Sequence, residues 1–383
     1  MKYRITCLTP TLVGDGQRLA PIDYMVWKDH VNVLNQRRIF RLLSKGPRLD
    51  GYLSQLKTSE KLDFASWGGF AQNFAGRRIP FEHSSSAGFW EKAHAENLFI
   101  PTFASGLDGA FIPGSAIKGA LRTGMVAANV HERAMKDLVA AVDDGRAQRN
   151  PARGPEDSAL GTGGANVMKL LGASDSRPVA HGAAAFKVYM LRVSTLEARG
   201  GKHELGWKTT PRGSMRRADD STPWFAEMAT PGTAFEGDWN ERAFLNQPEV
   251  ARTLHKRQGV DRASIFASVN KYAGQLLALQ KQYAQLTGLD QLRAGVEALE
   301  QRLAVAAAGD GACLFPIGWG GGFLTKTAFL DTQQEDFRGV LRQVAFFERA
   351  VQSGLPFPKT RRIVFLENQP AALPGWVECS ISA

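Results

Sequence analysis

Phe111-Ile112-Pro113-Gly114-Ser115-Ala116-Ile117-Lys118-Gly119-Ala120-Leu121-Arg122-Thr123 is the most informative stretch of this chain. Phe111 and Ile112 end a strand-like run, and Pro113-Gly114 makes a turn. Ser115 stands where an N-cap is expected, because its hydroxyl can accept from the free amides of a first helical turn. The spacing predicts a helix from there through Val126 and Val130 to about Val142. Lys118 and Arg122 are four residues apart and share one helical face. Free N–H groups at a helix start, beside cations, suit a phosphate. The small residues Gly119 and Ala120 let another backbone lie close. A capped helix with exposed basic residues gives the same pattern.

Upstream, Lys2 to Leu8 alternates at period two, as a half-buried strand does. Gly14-Asp15-Gly16 is a turn. Tyr24–Trp27 and Val31–Leu34 flank Lys28-Asp29-His30 as a hairpin, and a basic helix starts at Arg37. Residues 63–110 show no clean period and are expected to be a loop-rich insertion. Downstream, 143–165 is rich in Gly, Pro, Asp and Arg and is expected to be an exposed loop, and a strand returns at Ala184–Val193. The segment 199–217 sets Arg199, Lys202, Lys208, Arg212, Arg216 and Arg217 against Glu204. It is either a thumb-like hairpin or a solvated charged loop.

From 262 to 304 the pattern changes. Ile265, Val269, Tyr272, Leu276, Leu279, Tyr283 and Leu286 recur at spacings of four and three. After Thr287-Gly288, Leu289, Leu292, Val296, Leu299 and Leu303 do the same. These are two amphipathic helices joined at a glycine, a helical hairpin whose apolar stripe either packs in the core or meets a partner subunit. The C-terminal part centres on Phe315-Pro316-Ile317-Gly318-Trp319-Gly320-Gly321-Gly322-Phe323-Leu324-Thr325-Lys326-Thr327. Four glycines allow backbone conformations that side chains resist. Exposed amides of such a loop bind phosphate, Trp319 or Phe323 can stack on a base, and Lys326 adds charge. Pro358-Lys359-Thr360-Arg361-Arg362 brings further cations. A tight turn would need the same glycines.

Across 383 residues, 47 Lys and Arg face 37 Asp and Glu, a formal charge of +10. The excess serves solubility or an anionic partner, nucleic acid first. Length and a hydrophobic fraction of 44% fit a globular chain of two domains rather than a disordered one. Cys7, Cys313 and Cys379 lack CxxC spacing, so neither a disulfide framework nor a four-cysteine zinc site is expected. No apolar leader or membrane-length run is seen, and a cytoplasmic protein without membrane attachment is expected. The seven histidines (His30, His83, His94, His131, His181, His203 and His255) form no metal-ligand spacing. Phosphate-loop and nucleophile-elbow motifs are absent from the sequence. Asp143-Asp144 and Asp219-Asp220 are expected to be solvated turn residues. No catalytic residue, metal or cofactor is expected.

Three motifs together resemble a known family. Leu8-Thr9-Pro10-Thr11-Leu12-Val13-Gly14-Asp15-Gly16, with Leu19 to Tyr24 after it, is similar to the opening of CRISPR-associated RAMP proteins. Ile112 to Thr123 resembles that family's PGSSIKGALRT segment, and Gly318 to Thr327 its C-terminal glycine loop. With Pro358 to Arg362 and Gly375-Trp376-Val377, the ensemble is most similar to the family of subunit five of type III-A Csm effector complexes. The family often carries His before the first glycine turn, where this chain has Leu12 and Val13. That departure weakens any case for a catalytic histidine.

The resemblance implies an α+β fold of two ferredoxin-like (RRM-like) RAMP domains with inserted loops and a helical hairpin, here divided as 1–235 and 236–383. It implies a non-catalytic CRISPR RNA-binding subunit that caps the 3′-end side of an RNA-guided interference complex and assists guide maturation in antiviral defence. The implied partners are CRISPR RNA, target RNA through the guide duplex, neighbouring RAMP backbone and small subunits, and recruited ribonucleases. The RNA-contacting candidates are Gly14, Gly16, Ser115, Lys118, Arg122, Gly318, Trp319, Gly320, Gly321, Gly322, Phe323, Lys326, Lys359 and Arg361. Two alternatives stay open. One is a metal-independent endoribonuclease of the same superfamily that processes precursor guide RNA, and the other is a protein adaptor working through the 265–303 stripe.

Overall fold

The computed structural model describes residues 1–44, 46–63, 67, 71–143, 152–200, 202–210, 213–255 and 260–382. Asp144 and Arg212 lie outside the described residues. The N-terminal part runs through β1 (Lys2–Cys7), β2 (Tyr24–Trp27), β3 (His30–Leu34), α1 (Gln36–Leu43), α2 (Arg48–Thr58) and β4 (Ala75–Pro80). Then come α3 (Gly114–Asn129), α4 (Glu132–Asp143), α5 (Arg153–Leu160) and β5 (Leu171–Ala173). The middle holds β6 (Phe186–Arg199), β7 (Lys202–Lys208), β8 (Trp224–Ala229) and β9 (Ala234–Glu241). Helices α6 (Arg262–Thr287) and α7 (Asp290–Ala307) precede β10 (Ala312–Pro316), α8 (Glu335–Arg342) and α9 (Ala345–Gln352). The chain ends with β11 (Thr360–Leu366), β12 (Gln369–Ala372) and β13 (Trp376–Ser382).

Two antiparallel sheets organise these elements, and the fold is α+β as expected. The first has the order β10-β13-β1-β9-β5. In β1 the buried side chains are Tyr3, Ile5 and Cys7, which is the period-two pattern read from the sequence. The second sheet is built on the long strand β6. Its residues 186–191 pair with β8, 191–195 with β11 and 194–199 with β7. The expected division at 235/236 falls inside β9, and each sheet takes strands from both sides of it. Antiparallel pairing of β1 with both β9 and β13 is what joins the chain's beginning, middle and end.

The helical hairpin is present where its spacing placed it. Asp261 and Ser264 form a capping box at the start of α6, and Gly288 ends it in the left-handed conformation at φ 66°. The apolar stripe is core. Ile265, Phe266 and Val269 pack under the first sheet, while Tyr272, Leu276 and Tyr283 join Leu292, Val296 and Leu299 under the second. Helix α6 thus ties the two halves into one body. Gly124 of α3 permits this, because a Cβ there would sit 2.9 Å from Val269 Cα.

Three local expectations change. The helix predicted to reach Val142 breaks at Val130, which is extended at ψ 129°, and restarts as α4. The stretch 63–110 is more ordered than its composition suggested. It supplies β4 and a helix at Ser85–Lys92, held by Trp67 and Phe74 in one small core and by Trp90 in the second-sheet core. The basic segment from 199 begins as a hairpin, with Arg199 opposite Lys202 and Ser194 opposite Trp207.

Candidate nucleic-acid interface

Residues far apart in sequence line one open groove of about 700 Å3. One wall is the N-terminal turn from Leu12 to Arg18. The floor is the face of α3 carrying Ala116, Gly119, Ala120 and Thr123, which recur at helical spacing. The other wall is Pro316 to Trp319 with Thr325 and Lys326. Backbone hydrogen bonds lock the walls together. Trp319 donates its amide to the Leu12 carbonyl at 2.8 Å, Ile317 to Gly375 at 2.8 Å, and Gly375 to Pro10 at 2.9 Å. Gly318, at φ 77°, lies so close that a Cβ would stand 2.0 Å from the Leu12 oxygen. Only glycine fits there.

The groove is cationic. Arg18 lies over the Phe99 ring at 4.3 Å, and Lys326 Nζ donates to the Gly318 carbonyl at 3.0 Å. Partial desolvation holds the Lys326 pKa below its ordinary value. Among the described residues that line the groove none is acidic, and Asp15, in the same turn, is turned onto the Gln17 amide at 3.0 Å. Small side chains on the floor and cations on the rims leave room for a backbone of phosphates and sugars.

No protein-family profile matches the chain, and no curated protein matches it in sequence. Solved structures do match in shape. A chain of a type III-A CRISPR-Cas Csm–crRNA–target RNA ternary complex, solved by cryo-EM, superposes with a TM-score of 0.69 at 20% identity. The match covers 98% of this chain and 99% of that one. Crystalline Csm5 from T. onnurineus superposes with a TM-score of 0.61 at 19% identity, over 98% of this chain and 99% of its own. The fold is that of Csm5.

In this Csm5 fold the sequence candidates separate into groups. Gly14, Gly16, Gly318, Trp319 and Lys326 line the groove. Gly320, Gly321, Gly322, Phe323 and Lys359 border a second cavity, and Lys326 lines both. The helix start does not offer an open phosphate site. The N-cap is Pro113, not Ser115, and Ser115 makes no capping bond. The Gly114 amide donates to Asp175 Oδ1 at 2.8 Å, so a carboxylate from another segment already stands at the positive end of α3. Lys118 and Arg122 share a face as expected, but that face does not line the groove. Burial, and then the charge of Arg242, lowers the Lys118 pKa. Arg122 forks onto Glu156, with Nη1 3.0 Å from Oε1.

Two further candidates make extensive internal contacts. Phe323 is wedged among Phe357, Phe347 and Phe337, with ring centroids 5.1, 5.2 and 6.3 Å away. Arg361 points into the core. Its Nε donates to Gln280 at 2.6 Å, Nη1 donates to the Pro358 and Thr360 carbonyls, and the guanidinium stacks on Tyr283 at 4.4 Å. Burial pushes its pKa down to about 10. Its neighbour Arg362, on the opposite face of β11, covers Trp319 at 4.4 Å. Arg18 is the groove cation that sequence reasoning passed over, and Arg362 was read there only as part of a basic run. The strand alternation in Arg361-Arg362-Ile363-Val364 signalled that the two arginines must face opposite ways.

Among the described residues no histidine lines the groove. His30 pairs with Asp29, His83 with Ser85, and His181 with the Arg77–Glu227 ion pair. Among the described residues no cluster of His, Cys, Asp and Glu could hold a metal, and no helix is long and apolar enough to cross a membrane.

Proposed function

We propose that this chain is a Csm5-type subunit of a type III-A CRISPR effector complex and that its groove holds the CRISPR RNA backbone without reading sequence. The observation that carries this is the convergence of three distant motifs on one groove with cationic rims and no acid among its described lining residues. Phosphates would lie against Arg18 and Lys326, and ribose edges against the small residues of α3. Pairing between guide and target would supply specificity. The family resemblance carried by the three motifs implies a place at the 3′-end side of the guide, beside RAMP backbone and small subunits, in guide maturation and antiviral defence. In that arrangement trimming belongs to recruited ribonucleases, and the complex works in the cytoplasm.

The test is salt-dependent binding of labelled CRISPR RNA by the protein assembled with its neighbouring subunits, scored alongside cleavage. Arg18→Ala and Lys326→Ala are each expected to weaken binding and lower the slope of log affinity against log salt by about 0.7. Arg122→Ala, already paired to Glu156, is expected to leave that slope unchanged. A double Arg18/Lys326 variant that binds like the wild type would remove the groove from the proposal. Cleavage at one position in EDTA would instead make the protein an endoribonuclease.

A further inference from the structure

Residues 320–324 of the glycine loop also border a second cavity of about 590 Å3, which shares Lys326 with the groove. Its walls combine aromatic rings with positive charge. Phe346, 85% exposed, stands on its rim against Phe347 at 5.2 Å in an edge-on contact. Lys326, Lys359 and Arg362 also border it, and none of its lining residues is acidic. Arg362 has its Nε buried without a hydrogen-bond partner. Among the described residues, the amides of Gly320, Gly321 and Gly322 donate to nothing. Gly320 and Gly322 hold positive φ, 100° and 74°, on either side of Gly321, and alternation of hand along a backbone is the geometry of anion-binding nests.

We propose that this cavity is a nucleotide pocket that takes one unpaired nucleotide of the strand whose backbone fills the groove. The base stacks on Phe346, and the flanking phosphate meets Lys359, Arg362 and the glycine-loop amides. This rests on the RNA-binding reading above and adds a second contact to it. Charge decides the occupant. An apolar helix of a partner protein would bury Phe346 but leave the cations and free amides unanswered, whereas a nucleotide supplies an aromatic face and an anion together. The volume suits one nucleotide rather than a duplex. Arg362 over Trp319 joins the two sites through the loop, so a strand can pass from one to the other around Gly322, whose Cβ position is open.

The test uses the full-length protein and a single-stranded RNA 12-mer carrying 2-aminopurine at successive positions. Wild type is expected to quench one position strongly on binding. Phe346→Ala should abolish that quench and weaken binding about 5- to 150-fold, the range for loss of one base–aromatic stack. Lys359→Ala should keep the quench and lower the salt slope by about 0.7. Because Phe346 is exposed, its replacement leaves the fold intact, and a circular dichroism melt checks this. A quench unchanged in Phe346→Ala overturns the pocket, and if Arg18→Ala still weakens binding, the groove stands without it. Loss of assembly with neighbouring subunits, with RNA binding and quench intact, makes the cavity a protein-docking site. No RNA binding by wild type removes pocket and groove together.

Discussion

Gly318→Ala tests whether the glycine loop is held by contact or only by turn conformation. Gly318 and Gly322 have nearly the same backbone angle, φ 77° and 74°. An alanine at either position incurs the left-handed penalty of about 1–2 kcal/mol, offset in part by reduced freedom of the unfolded chain. Their surroundings differ. A methyl at 322 meets nothing within 4 Å, while one at 318 would stand 2.0 Å from the Leu12 carbonyl oxygen. Ordinary contact begins near 3.4 Å, so the loop must retreat by more than an ångström. That retreat breaks the 2.8 Å bond from Trp319 to Leu12 and leaves a buried carbonyl unpaired, at about 1–3 kcal/mol. Gly318→Ala is therefore expected to be about 1–3 kcal/mol less stable than Gly322→Ala. With an unfolding entropy near 2.1 cal/mol/K per residue over 383 residues, this corresponds to about 1–4 °C in Tm. Scanning calorimetry on both variants measures it, and RNA affinity should fall more for Gly318→Ala because its groove wall moves. Equal melting temperatures and equal affinities would refute the claim that the clamp on Leu12 shapes the groove.

Other outcomes follow from the same structure. Arg361→Ala should cost about 3–5 kcal/mol, because Gln280 and two carbonyls lose their donor and Tyr283 its stacked guanidinium. Arg361→Lys should recover little of this, since an ammonium cannot fork in the same way. Urea melts read both effects, and a salt slope for RNA that dropped in Arg361→Ala would contradict its placement in the core. Alkali should destabilise the protein through its buried thiols. Burial pushes the Cys7 thiol up to about 12 and raises Cys313 as well, while an unfolded thiol ionises near 8.5. Folded values above unfolded ones mean stability that is complete below about pH 8.5 and is lost as pH rises toward 12. Between pH 9 and 10 each thiol contributes a slope of about 1 kcal/mol per pH unit. Cys7→Ala should flatten the curve by that share, and an unaltered slope would show that Cys7 is already ionised in the native state.

Periodic features were legible from the sequence because local spacing determines them. The hairpin of α6 and α7 appears in a 4-3 stripe with Gly288 at its break, and β1 in strict alternation. Features made by distant chain segments were hidden. Ser115 had the chemistry of a cap, but the α3 amide at Gly114 is met by Asp175, more than sixty residues away, so no local pattern could reveal it. Arg122 and Lys118 carried the right spacing for one face of α3. Which face meets the groove depends on where α5 and α6 pack, and Glu156 of α5 takes Arg122.

The same limit explains why some glycines say more than the cations about which segments meet. A cation on a helix or strand can point outward or into the core, and adjacent positions need not agree: Arg361 reaches Gln280 in the core while Arg362 lies over Trp319. A glycine at positive φ against a foreign carbonyl has no such freedom. Gly318 reports contact with Leu12, and Gly375, with a Cβ position 2.4 Å from the Ile317 oxygen, reports contact with the glycine-loop strand. Together they mark the seam where the N-terminal turn, the glycine loop and the final strand meet. The groove lies along that seam because close backbone approach leaves amides, carbonyls and small side chains facing outward, a surface that a phosphate backbone can follow whatever its bases.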